Sequence, residues 1–200
     1  ACREQGIKPI IGTEAYMAHD TRFERPSRRG RVDDSGGQTE GGRKLMYHLT
    51  LLAENGTGYR NLIQVASRAF LEGYYYKPRV DWEVLSDHSE GLIATTGCLG
   101  GHVLQALLRD NYADALEKAG RLQEIFGRDG LFVELQDQGM PEQHRTNPQL
   151  ERIARDLGAP LLATNDSHYT HREDARAHDG LLCVQTGSLM SDPNRFRFSG

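Results

Sequence analysis

GLIATTGCLGGHVLQALLRDNYADALEKAGRLQEIFGRDGLFVELQ, residues 91–136, is the stretch that decides the fold class. Its first seven residues, Gly91–Gly97, form an apolar run of the buried-strand type, and its last six, Leu131–Gln136, read as another strand. Between them lie two helical segments, His102–Arg109 and the longer Tyr112–Phe126. Strands separated by helices of this length make crossover units and a parallel sheet. The alternation continues on both sides. Downstream, Pro148–Leu157 reads as a helix, Pro160–Asn165 (PLLATN) as a strand and Arg172–Val184 as a closing helix. Upstream, Lys8–Tyr16 (KPIIGTEAY) and Tyr47–Ala53 (YHLTLLA) read as strands. Thr57–Leu71 reads as a helix with an apolar stripe of Leu62, Ile63, Ala66, Ala69 and Phe70. The expected class is α/β, with parallel strands near 8–16, 91–97, 131–136 and 160–165 and helices packed outside. Periodicity alone does not separate a closed barrel from an open doubly wound sheet.

The chain has 200 residues, 38% hydrophobic and 26% charged, enough for one sizeable core in a single domain. Its apolar runs are far too short to cross a bilayer, and no secretory signal opens the chain. Three widely separated cysteines, Cys2, Cys98 and Cys183, argue against a disulfide framework and for a reducing, cytoplasmic location. A net charge of −4 gives no support to a general nucleic-acid coat. Residues Thr21–Lys44 hold six arginines and almost no apolar side chain, and read as a solvated, mobile loop insertion. Its basic run Arg28-Arg29-Gly30-Arg31 is read as surface rather than as a phosphate site. Ala1–Gly6 reads as the last turn of a helix stopped by glycine, without a start methionine. The chain is therefore expected to be a piece of a longer protein.

Thr164-Asn-Asp-Ser-His-Tyr169 is the sharpest chemical feature. Residues two apart on a strand share a face, so Asp166 and His168 can aim at one point. At the C-terminal end of an α/β strand, a carboxylate and an imidazole suit a divalent metal. An aspartate capping the next turn beside an exposed histidine is the plainer alternative. Glu14 lies within an apolar strand and needs a cationic partner, a metal or a basic side chain. His48 opens another strand, where a hydrogen-bonded structural histidine is common. Cys98, at a strand-to-helix junction, reads as a buried small hydrophobe, a nucleophile or a thiolate ligand. Glu134, Gln136 and Asp137 end a strand and read as substrate-side or structural polar groups. The remaining histidines, His102 among them, read as solvated or capping. No P-loop, dinucleotide-binding or G-x-S-x-G element is present.

Beyond these readings, the stretches IKPIIGTEAY (7–16), YHLTLLAENGTGYRNLI (47–63), GYYYKPRVDWEVL (73–85), EGLIATTGCLGG (90–101), ATNDSHY (163–169) and DPNRFRF (192–198) resemble the PHP domain of bacterial DNA polymerase III α subunits. The resemblance covers nearly the whole chain apart from Thr21–Lys44. It implies a distorted (βα)7 barrel, incomplete in this piece, with a cluster of metals at one mouth. Carried over motif by motif, the implied metal ligands are Glu14, His48, Cys98, Asp166 and His168. Four further ligands are implied upstream of Ala1, so this piece alone is expected to be inactive. The resemblance also implies a metal-dependent 3′–5′ exonuclease beside a DNA-directed polymerase activity lying elsewhere in the whole protein. Divalent metals, zinc first and manganese or iron next, are implied for this site, and magnesium for the polymerase site. The implied partners are primer-template DNA, deoxynucleotides and replisome subunits such as the sliding clamp. A bracing or docking domain without catalysis, and a stand-alone phosphoesterase, are the alternatives. Gln138 departs from relatives that carry histidine there, and it is not counted as a ligand.

Overall fold

The structure is a computed structural model that describes residues 1–29, 37–40 and 42–198. After a 3-10 turn at Arg3–Gln5, the first strand is β1 (Ile11–Met17), followed by a small ribbon of β2 (Arg28–Arg29) and β3 (Gln38–Thr39). Then come β4 (Tyr47–Ala53), α1 (Gly56–Leu71), β5 (Arg79–Val80), α2 (Trp82–Asp87), β6 (Leu92–Thr95) and α3 (His102–Leu108). The chain continues through α4 (Tyr112–Phe126), β7 (Leu131–Gln136), α5 (Pro141–Leu157), β8 (Leu161–Thr164) and α6 (Ala175–Thr186). It divides into two compact units, Ala1–Thr164 and Asn165–Gly200. Among the described residues no helix is long and apolar enough to cross a membrane.

In the first unit six strands form a sheet in the order β5–β1–β4–β6–β7–β8. β1 and β5 pair parallel, as do β6 with β7 and β7 with β8. β4 is reversed against both neighbours, β1 and β6. Five of the six strands therefore point one way, as the α/β reading expects, and one does not. An antiparallel neighbour needs no crossover helix, and the described part of the β1–β4 connection holds only the small ribbon. Helices and sheet share one apolar core, in which Leu51, Ala94, Leu107, Leu131, Val133, Leu150 and Ile153 are fully buried.

Several boundaries move for identifiable reasons. α1 buries Leu62, Val65 and Ala69 while Ile63 and Phe70 are exposed, so its packed stripe is rotated from the one read in the sequence. Asn55 caps this helix through Thr57 and Gly58 N–H groups. Gly58 itself passes so close to β6 that an added Cβ would lie 1.7 Å from the Gly91 carbonyl oxygen. α5 starts at Pro141, not Pro148, and runs through Pro148. Burial of Gln143, Thr146, Leu150 and Ile153 outweighs the hydrogen bond that an internal proline removes. α2 had no separate sequence signal, yet Asp81 caps it and Trp82, Val84 and Leu85 are buried.

The solvated reading of Thr21–Lys44 needs correction at Arg22. Arg22 is 5% exposed; its guanidinium donates to both Asp81 oxygens at 3.0 Å, to Glu72 at 2.7 Å and to Glu83 at 3.0 Å. Arg28 and Arg29 form β2, while Gly30 and Arg31 lie outside the described residues. The sequence shows the polarity of this segment but not that an arginine within it reaches a buried carboxylate.

His102 is a second correction. It is buried, with its ring 3.8 Å from that of Tyr47 and stacked on Trp82 at 5.5 Å. Burial, helped by Lys118, His19, Arg109 and Arg121, pushes its pKa down to about 3. The folded state thus keeps His102 neutral where an unfolded histidine takes up a proton near pH 6.5. Stability on this account is present above about pH 6.5 and is lost progressively as pH falls towards 3. Unfolding free energy should drop by on the order of 2 kcal/mol between pH 7 and pH 5 from this group alone. In His102→Phe, denaturant titrations at the two pH values should show that part of the slope removed.

The second unit is organised around α6. Arg195 donates to both oxygens of Asp179 at 2.9 and 2.7 Å. His168 and His178 pack on Phe198, with ring centroids 4.6 and 5.0 Å away.

Candidate metal centre

The pairing register decides which side chains share a face. Tyr16 lies opposite His48 and Glu14 opposite Thr50, so Glu14, Tyr16 and His48 stand on one face of the sheet. Ala15, Met17, Tyr47 and Leu49 occupy the other face and are buried in the core. Because β4 is reversed, its first residues lie beside the C-terminal ends of β1 and β6. His48 opens its strand and still stands at the mouth where the barrel rule places active groups.

Cys98 arrives from the turn after β6. Gly97 takes a positive φ of 78°, and Gly101 N–H closes the turn on the Cys98 carbonyl at 2.8 Å. His48 N–H donates to the Gly100 carbonyl at 3.1 Å, fastening this turn beside the imidazole. Gly100 packs closely on this ring: a Cβ there would stand 3.1 Å from the His48 imidazole and would press it back by a few tenths of an ångström. His48 Nδ1 is 2.9 Å from Glu14 Oε1 and 3.5 Å from Cys98 Sγ. The three ligand atoms all lie within 4.8 Å of one another.

A carboxylate, an imidazole and a thiol make a donor set suited to zinc or another borderline-soft divalent ion. With bonds of about 2.0–2.3 Å, tetrahedral ligand atoms stand roughly 3.3–3.8 Å apart. The observed separations need only small adjustments, so the residues fit an ion with at least one position left open. The electrostatics agree. Burial disfavours a charged His48, yet hydrogen bonds and charge from Cys98 and Glu14 push its pKa up to about 10. The pocket thus favours positive charge beside Glu14 and Cys98, and a metal bound there would take the place of the His48 proton.

Of the five residues read as ligands, three come together in the first unit. Asp166 and His168 stand in the second unit, joined by a bond of 2.7 Å between His168 Nδ1 and the Asp166 carbonyl. A carbonyl only accepts, so Nδ1 carries the proton in this bond and Nε2 is the ring's acceptor nitrogen. Glu134 and Gln136 are buried in β7, whereas Asp137 is exposed and pairs with His144 at 3.1 Å. The threonine pair Thr95-Thr96 was passed over in the sequence, and both side chains are buried immediately before the Cys98 turn. A depression of about 520 Å³ lined by Glu54, Gly91, Glu124, Phe126, Arg128 and Asp129 opens at the opposite end of β6 and offers none of these ligands.

Comparison with known proteins identifies the family. The PHP domain profile matches residues 1–138. The chain belongs to the PHP domain family. It is 47% identical over 193 residues to DNA polymerase III subunit alpha of Thermus aquaticus, covering 96% of this chain and 15% of that protein. The corresponding protein of Deinococcus radiodurans is 46% identical over 192 residues, 96% of this chain and 14% of the relative. That of Mycobacterium tuberculosis is 46% identical over 204 residues, 98% and 17%. This PHP chain thus spans about 15% of the length of the curated relatives it matches. All three of its cysteines are free in the structure.

Proposed function

We propose that this chain is the PHP portion of a replicative DNA polymerase III α subunit and that it carries a metal-dependent 3′–5′ exonuclease centre. The observation that carries the reading is the convergence of Glu14, His48 and Cys98, residues 84 positions apart at the extremes, at one sheet mouth. Asp166 Oδ and His168 Nε2 are proposed to complete the ligand set. When bound, divalent ions here neutralise phosphodiester charge and supply an activated water. Glu14 contributes the first-strand carboxylate, His48 Nδ1 the imidazole donor and Cys98 Sγ the soft ligand that favours zinc, with manganese or iron as the other candidates. In the complete protein the partners are primer-template DNA, deoxynucleotides and replisome subunits such as the sliding clamp, in the cytoplasm. Nucleotide addition by magnesium-holding carboxylates belongs to sequence outside this chain.

The complete protein, given a 3′-labelled primer, should shorten it from the 3′ end. Chelation should stop this and zinc or manganese should restore it. Cys98→Ser should slow it at least about tenfold. A metal-loaded wild type that leaves the primer intact would replace catalysis by a metal-stabilised bracing role.

A further inference from the structure

Glu134 is a buried carboxylate held by neutral groups. It sits in β7 at 6% exposure, and among the described residues no Lys, Arg or His is paired with it. Its donors are neutral. Thr95 Oγ1 donates to Oε2 at 2.5 Å, Thr164 Oγ1 to Oε1 at 2.5 Å, and Gln136 Nε2 to Oε1 at 3.0 Å. Burying a carboxylate on neutral donors is costly compared with an apolar residue, so packing alone gives no reason for it.

The bonds lead to the metal centre. Thr95 Oγ1, having donated to Glu134, accepts from Gly97 N–H at 3.2 Å, one residue before Cys98. Glu134 N–H donates to Thr96 Oγ1 at 2.9 Å, so both residues ahead of the Gly97–Cys98 turn are tied to Glu134. Its other oxygen holds Thr164, two positions ahead of Asp166 in the chain. The register Thr95 opposite Phe132 puts Thr95 and Glu134 on one face, and the β4–β6 pairing makes that the face of Glu14 and His48.

We infer that Glu134 is a positioning residue for the metal centre: through Thr95 it sets the turn that presents Cys98 Sγ, and through Thr164 it sets the strand end that leads to Asp166. The inference rests on the metal-centre reading given above. It adds a residue that holds ligands in place without binding the ion itself, a role whose loss lowers metal affinity on the order of 10–100-fold.

The complete protein loaded with cobalt(II) provides the test, because a cobalt–thiolate bond gives a near-ultraviolet charge-transfer band that oxygen and nitrogen ligands do not. Wild type should show the band and Cys98→Ser should lose it. Thr95→Val removes both hydroxyl bonds; it should lose most of the band and bind cobalt about tenfold more weakly. Thr95→Ser keeps the hydroxyl and should retain both properties. Glu134→Gln, with one acceptor turned into a donor, should fall between them. Thermal unfolding of the metal-free variants separates folding from positioning. If Thr95→Val and Glu134→Gln lower only the melting temperature and keep band and affinity, Glu134 is a packing residue and the inference is overturned. Should Thr95→Val not fold, an unchanged band in Glu134→Gln overturns it equally. A wild type without the band, or a Cys98→Ser protein that keeps it, would sink the metal-centre reading itself, and this inference with it.

Discussion

Asp166→Asn in the complete protein is expected to lower both metal content and 3′–5′ degradation at least about tenfold, while DNA synthesis survives in part. The substitution isolates charge. Asp166 occupies a left-handed backbone position, φ 48°, which asparagine adopts as readily as aspartate. Its carbonyl, the acceptor for His168 Nδ1, is unaffected by the change in side chain. What disappears is the negative charge that, on the proposed reading, would neutralise a divalent cation. Elemental analysis of the purified proteins, together with primer shortening by each, reads the effect. Unchanged metal content in the variant would remove Asp166 from the site.

Arg22→Ala should produce the largest loss of stability, about 3–5 kcal/mol by chemical denaturation, because it strands a buried carboxylate. Asp81 is 3% exposed and takes three hydrogen bonds from Arg22, one through the backbone N–H. Burial works to raise the Asp81 pKa and is the strongest influence on it. The backbone N–H groups of Arg22 and Val84 and the Arg22 guanidinium together outweigh it, and the pKa lies below its ordinary value. A depressed carboxylate stabilises the fold above its unfolded pKa near 3.9, and that stability is lost as pH falls through the lower folded value. The variant should therefore be weaker at neutral pH and less sensitive to strong acid than wild type. A change under about 1 kcal/mol would mean that the cluster behaves as a solvated surface pair.

These residues also mark where sequence reasoning ends. Strand identity was legible wherever apolar runs had clear punctuation: β4 and β7 and the helix α4 fall on the residues read for them. The direction of β4 was not, because alternation specifies which side chains share a face and says nothing of polarity along the sheet. That direction is what carries His48 to the mouth, a place its position at the start of a strand argued against. Glu14 was legible as a carboxylate in need of a partner, and Cys98 as a residue at a junction. Their common neighbourhood was implied only by resemblance, since nothing local in either segment refers to the other. The polar network under Cys98 was least visible. Thr95, Glu134 and Thr164 are ordinary strand residues until the register brings them onto one face. Arg22 was hidden for a related reason: composition reports a charged segment as solvated, whereas a single long side chain can reach a distant buried acid.

Anomalous X-ray diffraction at the zinc edge, from crystals of the complete protein, reads the ligands of the ion itself. A peak bonded to Glu14, His48 Nδ1 and Cys98 Sγ is expected, at distances of about 2.0–2.3 Å. Anomalous density elsewhere, with Cys98 Sγ and His48 Nδ1 left in contact with each other and no metal between them and Glu14, would contradict it.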